Sequence, residues 1–337
     1  MTRQALWLAM AAAVAIATPA TAQLKTDAQR AYDEFQKQAP HRAFVIGTDG
    51  KGYWWAGASG PDPGQAVASA FKLCDERSEA KCSLYAINNV VLNGKEWHAS
   101  APPLLPSIGR LRPEPYWINS GPQAAAGLIV WSHGYMAGHD STDSAPQGEV
   151  AYFTHHGYDL YRFDRQWVRD WPGDARALAD AARQAKAMGY RRVILAGQSA
   201  GAWISLAAVV RGAPVDGVIS VSAAHHGEVK NMRDVSRARW DWQQLVHDIK
   251  PGPRLVVVNF KDDTYDVGGR MDDARAAFAA SGVDAIVISN PEGFRGHHAA
   301  KGTAFPRKFG ACIDSFIETG VRQPPCVQGA GHFARAK

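Results

Sequence analysis

Several features that mark common protein classes are missing from this sequence. After residue 22, no stretch approaches about 20 uninterrupted apolar residues, so no transmembrane span is predicted there. Neither G-x-G-x-x-G nor G-x-x-x-x-G-K-[ST] occurs, and this argues against a nucleotide cofactor. The formal net charge of +5 is modest and scattered, which gives no basic stripe and predicts no nucleic-acid partner.

Cysteine is scarce, with only four residues, and no metal-binding spacing is found. Cys74 and Cys82 form a C-x₇-C pair without partner histidines, which is not a zinc spacing. The histidine groups also lack H-E-x-x-H or a related motif, so no metal site is predicted; they are His133 with His139 and Asp140, His155 with His156, and His225 with His226. In an oxidising compartment disulfides are favoured, and of three possible connectivities we predict Cys74–Cys82 and Cys312–Cys326.

The N-terminus has the pattern of a secretory signal peptide over residues 1–22. Arg3 is its only charge, residues 5–17 are almost wholly apolar, and Ala20-Thr21-Ala22 gives an A-x-A cleavage site. A retained N-terminal anchor is the alternative. We therefore predict a protein that is exported to the periplasm or secreted.

Three further segments are predicted. Residues 23–100 form a small α+β module with a hairpin, a helix over 66–73 and a strand over 82–92. This module loosely resembles small cysteine-containing modules of exported bacterial proteins, which implies no chemistry. Residues 101–125 are rich in proline and read as a linker, with an edge strand near 116–118. From residue 126 to 337, strands alternate with helices as in a parallel α/β sheet of six strands.

The most informative stretch is residues 191–211. An apolar run over 193–196 is typical of a strand buried on both faces, and small apolar residues over 202–210 indicate a helix packed on a sheet. Between them lies Gly197-Gln198-Ser199-Ala200-Gly201, a G-x-S-x-G that exposes the serine hydroxyl on a sharp turn. In this context the chain resembles the α/β-hydrolase fold serine hydrolases of the esterase and dienelactone-hydrolase type. The resemblance implies that Ser199 is the nucleophile.

The same resemblance implies the chain order serine, acid, histidine. The acid is expected after the strand over 255–260, where Asp263 ends the family's G-x-x-D pattern. Phe260 stands in place of that glycine, so Asp262 and Asp266 stay open as alternatives. The acid is therefore the least specific part of the resemblance.

The base is expected on the loop after the last strand, where the family commonly has Gly-His. Gly296-His297 fits that pattern, with His298 as the alternative. For the oxyanion hole, the resemblance implies the N–H of Ala200 and, from His133-Gly134, the N–H of Tyr135.

Together these residues predict a serine hydrolase that cleaves a carboxylic ester through an acyl-enzyme, without a cofactor. A peptidase or acyltransferase would use the same machinery, and a non-catalytic cell-envelope binding protein is a third possibility. The expected partner is a small-molecule or acyl-ester substrate. Trp240 and Trp242 lie in an insertion over 228–250, where they line the substrate entrance or pack the insertion on the body.

Overall fold

A computed structural model describes residues 24–57, 63–92, 95–99, 103–136, 139–140, 144–165 and 170–327. The predicted signal peptide, residues 1–22, lies outside the described residues. A helix that the sequence did not lead us to expect, α1 (Thr26–Gln36), begins the described chain.

The N-terminal part forms a four-stranded antiparallel sheet with a helix on each face. Its strands have the order β2-β1-β3-β4; they are β1 (Arg42–Gly47), β2 (Gly52–Ala56), β3 (Cys82–Ile87) and β4 (Val90–Val91). Because side chains alternate along a strand, Ala43 and Val45 pack with α2 (Gly64–Arg77), whereas Phe44 packs with α1. The predicted single strand over 82–92 is broken at Asn88, which has a φ of 52°.

The larger sheet has seven strands in the order β13-β12-β11-β10-β6-β9-β5. Six of them are parallel and β5 pairs with β9 in the antiparallel sense. The strands are β5 (Leu111–Pro113), β6 (Gly127–Ser132), β9 (Tyr158–Phe163), β10 (Val193–Gln198), β11 (Gly217–Val221), β12 (Arg254–Asn259) and β13 (Ala285–Ser289). A short antiparallel pair, β7 (Tyr135–Met136) and β8 (His139–Asp140), follows β6.

Helices cover both faces of this sheet. Two pack on one face, α3 (Gly148–His155) and α8 (Ala304–Thr319). Four pack on the other, α4 (Trp171–Ala187), α5 (Ala200–Val210), α6 (Val235–Asp248) and α7 (Arg270–Ser281). The strand order and the two helix layers are those of an α/β-hydrolase fold, as the sequence predicted.

The edge strand is not where we expected it. It lies at Leu111–Pro113, and Tyr116 has a φ of 52°, outside the strand region. Successive side chains here pack into different cores, Tyr116 with the smaller sheet and Trp117 with the larger one. The division into domains at residues 23–100, 101–125 and 126–337 stays a prediction.

Both predicted disulfides are formed. Cys74–Cys82 joins α2 to the start of β3, and Cys312–Cys326 joins α8 to the segment that follows it. Among the helices of the described residues, none combines the length and the apolar character that a membrane crossing requires.

Candidate active site

Ser199 sits between β10 and α5 in a conformation that L-residues rarely adopt, with φ of 56° and ψ of −119°. The flanking glycines are required by close approach. A Cβ on Gly201 would lie 1.9 Å from the carbonyl oxygen of Ser132, and one on Gly197 would lie 2.5 Å from the carbonyl carbon of Gly201. Residues 197–201 therefore form a strained elbow that only this glycine spacing permits.

The elbow is fixed at the carboxyl edge of the sheet, next to the loops after β6 and β11. Ser199 donates its N–H to Val221 (3.0 Å), and its carbonyl accepts the N–H of Ala224 (3.1 Å). Ala200 is the first residue of α5, so its N–H belongs to the free donors of a helix N-terminus, where a developing anion is stabilised.

His297 and Asp263 form a buried hydrogen-bonded pair. Nδ1 of His297 donates to Oδ1 of Asp263 at 2.8 Å, and both side chains are almost fully buried. The imidazole also stacks on Tyr265, with ring centroids 4.0 Å apart. Nε2 of His297 has no hydrogen-bond partner among the described residues, and the Ser199 hydroxyl is not bonded to it.

The pKa of the Asp263 carboxyl lies below its ordinary value. Burial raises this pKa, but the hydrogen bond and charge of His297 and the N–H of Tyr265 lower it by more. The carboxylate is thus held in its charged form against the imidazole. This charge fixes the ring orientation and the protonation of Nδ1.

The other two candidate acids point elsewhere. Asp262 forms an exposed ion pair with Arg295 at 2.5 Å. Asp266 accepts from the Asn259 amide at 2.6 Å and lies 3.4 Å from Arg270. Of the three carboxylates considered from the sequence, the structure brings only Asp263 to a histidine.

His298 is exposed and touches the neighbouring His297 ring edge-on, with centroids 5.0 Å apart. Neighbouring protein atoms displace part of the water around its imidazole, and this desolvation together with the charge of His297 lowers the pKa of His298. The backbone of His297 is held against the elbow, since the Gln198 amide donates to the His297 carbonyl at 3.1 Å. The structure thus brings His297, and not His298, into contact with both Asp263 and the elbow residue Gln198.

The loop after β6, residues 133–135, faces the elbow. A Cβ on Gly134 would lie 2.7 Å from Oε1 of Gln198 and 3.4 Å from Cβ of Ser199. Arg165 is hydrogen bonded to this loop, because its guanidinium donates to the carbonyls of His133 (2.5 Å) and Gly134 (2.8 Å). Burial and the charge of Arg165 hold the pKa of His133 well below its usual value. Tyr135 follows with an exposed side chain.

Aromatic side chains surround the loop after β11. The His225 ring stacks on Trp203 with centroids 4.8 Å apart and meets Trp171 edge-on at 4.6 Å. Trp242 is fully buried and donates its indole N–H to the Arg270 carbonyl at 2.8 Å, so it packs α6 on the body. Trp240, by contrast, is 48% exposed.

Sequence reasoning did not single out Arg165 or Gln198. Gln198 occupies a variable position of the G-x-S-x-G motif, and Arg165 follows β9, whose place beside β6 is set by the sheet order. The sequence showed only an arginine two residues beyond a predicted strand, and its burial became visible in the structure.

Comparisons with known proteins find similar solved structures but no similar sequences. No family model matches the sequence, and no curated protein matches it. A truncated carbohydrate esterase from gut microbiota is 17% identical, with a TM-score of 0.45 over 58% of this chain and 86% of the other. Pyrococcus furiosus esterase Pf2001 is 11% identical, with a TM-score of 0.45 over 58% and 81%. A putative dipeptidyl aminopeptidase IV from Bacteroides ovatus is 13% identical, with a TM-score of 0.44 over 59% and 32%. Similarity at this level says nothing about activity.

Proposed function

We propose that this protein is an exported serine hydrolase that cleaves a carboxylic ester through an acyl-enzyme. Ser199 is the nucleophile, His297 the general base, and Asp263 the acid that orients the base. The backbone N–H groups of Ala200 and Tyr135 are the oxyanion donors. The observation that carries this proposal is the buried 2.8 Å bond from His297 to Asp263 beside a strained serine elbow.

Two features support these roles. Nε2 of His297 is unbonded among the described residues while Nδ1 is committed to Asp263, so its lone pair is available to accept a proton. In free enzymes, the serine-to-histidine bond is often loose and tightens only with substrate present. The Gln198 contact keeps the histidine loop next to Ser199, which supports closure of that bond on substrate binding.

In the first half of the reaction, Oγ of Ser199 attacks the ester carbonyl carbon while Nε2 of His297 takes its proton. The carbonyl oxygen becomes an oxyanion, which accepts hydrogen bonds from Ala200 and Tyr135. Each such donor is worth about 3–4 kcal/mol of barrier in a well-studied protease. When the tetrahedral intermediate collapses, the carbon–oxygen bond to the alcohol breaks, and the imidazolium returns the proton to the leaving oxygen.

In the second half, a water molecule attacks the acyl carbon and gives its proton to His297. Collapse releases the carboxylic acid, and the proton returns to Oγ of Ser199. The buried, charged Asp263 stabilises the imidazolium in both halves. No other chemistry is needed for ester hydrolysis.

A fluorophosphonate probe and p-nitrophenyl esters of increasing chain length test the proposal. We expect the wild type to be labelled and to turn over at least one ester. Ser199→Ala should lose labelling. Turnover should fall by about 10⁴-fold or more in both Ser199→Ala and His297→Ala. Asp263→Asn should lose about 10³–10⁴-fold.

Matched controls lie next to two of these residues. Asp262→Asn and His298→Ala should stay within about threefold of the wild type, because neither side chain holds the base or the nucleophile. If Ser199→Ala keeps its turnover, the proposal is wrong. Amide reporters cleaved as fast as esters would favour a peptidase, and preference for an added alcohol over water would favour an acyltransferase.

A further inference from the structure

Two histidines from the loop after β11 and one aspartate come together in a cluster that does not include His297 or Asp263. His225 and His226 follow β11, and Asp241 comes from α6. The ligand atoms of these three residues lie within 4.8 Å of one another. From the sequence, His225 and His226 showed no metal-binding spacing, and Asp241 lies 15 residues after His226.

The three side chains differ in how firmly they are held. Oδ2 of Asp241 accepts from Nε2 of His226 at 2.7 Å, and its other oxygen accepts from Nε of Arg237 at 2.9 Å. The His225 ring is clamped between Trp203 and Trp171. Nδ1 of His225 is buried and has no hydrogen-bond partner among the described residues.

A buried imidazole nitrogen nearly always has a partner, and it can accept either a hydrogen bond or a metal ion. Two imidazoles and a carboxylate are a donor set that suits zinc, nickel, copper or iron(II), whereas magnesium and calcium prefer oxygen ligands. Metal bonds of about 2.0–2.2 Å place tetrahedral ligand atoms about 3.3 Å apart. The present separations of up to 4.8 Å exceed that value, so metal binding requires the side chains to move closer together.

We propose that His225, His226 and Asp241 bind one divalent transition-metal ion of the zinc class, with water completing its coordination. The Arg237 bond orients the carboxylate from outside, as partners of ligating carboxylates commonly do. Its positive charge also weakens cation binding, so we expect affinity in the range of about 1–50 µM.

Such an ion would join two separate elements. Asp241 lies on α6, while the loop after β11 is hydrogen bonded through the Ala224 N–H to the Ser199 carbonyl. Binding in the folded state alone raises the unfolding temperature, and the ion would hold α6 against the loop beside the elbow. This proposal does not rest on the proposed ester hydrolysis.

Calorimetric titration of the untagged, metal-free full chain with ZnCl₂ tests the site, with dialysis and elemental analysis to count bound zinc. We expect one Zn²⁺ per chain and no binding of Mg²⁺ or Ca²⁺ at 1 mM, a concentration about 20-fold or more above the expected zinc Kd. His226→Gln and Asp241→Asn should each weaken zinc binding at least about tenfold. Both residues are partly exposed, so these variants should fold, and circular dichroism checks that they do.

The matched control is His247→Gln, which removes an exposed histidine that also lies on α6 beside an aspartate, Asp248. It should bind zinc as the wild type does. The proposal fails if the wild type binds zinc more weakly than about 1 mM, or if His226→Gln and Asp241→Asn bind it unchanged. Equal loss in the His247→Gln control would also place the ion elsewhere.

Discussion

Glu149 is a buried acid that the proposed mechanism does not use. It lies in the first turn of α3, is 2% exposed, and neither carboxylate oxygen has a side-chain partner among the described residues. Burial raises the pKa of this carboxyl from 4.5 to about 8. The folded state therefore keeps a proton on Glu149 at pH values where the unfolded chain has already released it.

The sign of the resulting pH effect follows from proton binding. Between about pH 4.5 and 8 the folded state binds more protons than the unfolded state, so the free energy of unfolding falls as pH rises. Between the two pKa values, the free energy of unfolding falls by at most roughly 1.4 kcal/mol for each pH unit. Above the folded pKa it falls no further.

Glu149→Gln should remove this dependence, because glutamine does not ionise. We expect the variant to match the wild type near pH 5 within about 1 kcal/mol and to be more stable at pH 8.5 by a few kcal/mol. Urea unfolding at pH 5, 6.5 and 8.5 measures the difference. The exposed-site variant Glu76→Gln should keep the wild-type slope, and an unchanged slope in Glu149→Gln would contradict the assignment.

At the scale of elements, the loop after β6 that carries the proposed oxyanion donor Tyr135 is held by a residue that follows the neighbouring strand β9. Arg165 follows β9, and β9 lies beside β6 in the sheet. Its planar guanidinium reaches two successive carbonyls, those of His133 and Gly134, from a side chain that is itself buried. Fixing these carbonyls sets the peptide planes that carry the loop's N–H groups.

Arg165→Lys should therefore lower kcat while leaving KM nearly unchanged, because an ammonium cannot hold both carbonyls in the fork geometry. We expect kcat to fall about 10–100-fold with KM within about threefold. Arg112 is exposed and lines, together with Arg165, a cleft of about 520 Å³. The control Arg112→Lys should leave both constants near wild type. A rise in KM with kcat intact would show that Arg165 binds substrate instead.

Most elements of the larger sheet were readable from the sequence, because strands buried on both faces are continuous apolar runs and the helices between them are regular. Helix α1 and strand β5 were not. Strand β5 has three residues, ends at Pro113 and forms only by pairing with β9. Helix α1 gains its stability from packing Tyr32 and Phe35 on the smaller sheet, a contact that no local pattern specifies.

The candidate site divides in the same way. The elbow glycines are dictated by local geometry, so Ser199 could be singled out from its pentapeptide together with the strand and helix that flank it. Asp263 and His297 were placed by resemblance, and only the fold separates them from Asp262 and His298. The Asp241 side chain joins two histidines through tertiary structure alone, which is why spacing did not reveal the group.

At the scale of the whole molecule, a buried ionic group connects the two sheets. Glu114, with no exposed surface, accepts from Nε2 of His41 at 3.1 Å and lies 3.0 Å from Nε of Arg162 on β9. His41 directly precedes β1 of the smaller sheet. Burial raises the pKa of the Glu114 carboxyl, but Arg162 and His41 lower it by more, so the net shift is downward.

Glu114→Gln should destabilise the protein by about 2–3 kcal/mol, since it removes the nearer of two carboxylates that face the buried Arg162 and leaves Asp164, at 3.3 Å, to balance its charge. Because the folded pKa of Glu114 is lowered, the stabilisation is present above pH 4.5 and is lost as pH falls through the folded pKa. Thermal unfolding at pH 7 and pH 4 measures both effects.

The control for this experiment is Glu318→Gln, which breaks a half-exposed ion pair with Arg192. That variant should lose less than about 1 kcal/mol. Similar losses in the two variants at pH 7 would contradict a special role for the buried group.

The short antiparallel strand β5 has a practical consequence for anyone who wishes to express the larger sheet alone. A fragment that starts at residue 126 would strip β9 of its outer neighbour and leave a row of backbone donors and acceptors available to another molecule. The fragment would also lack Glu114, which forms a buried ion pair with Arg162. Such a fragment is expected to self-associate. A fragment that begins upstream of Leu111 keeps β5 paired with β9 as the edge strand.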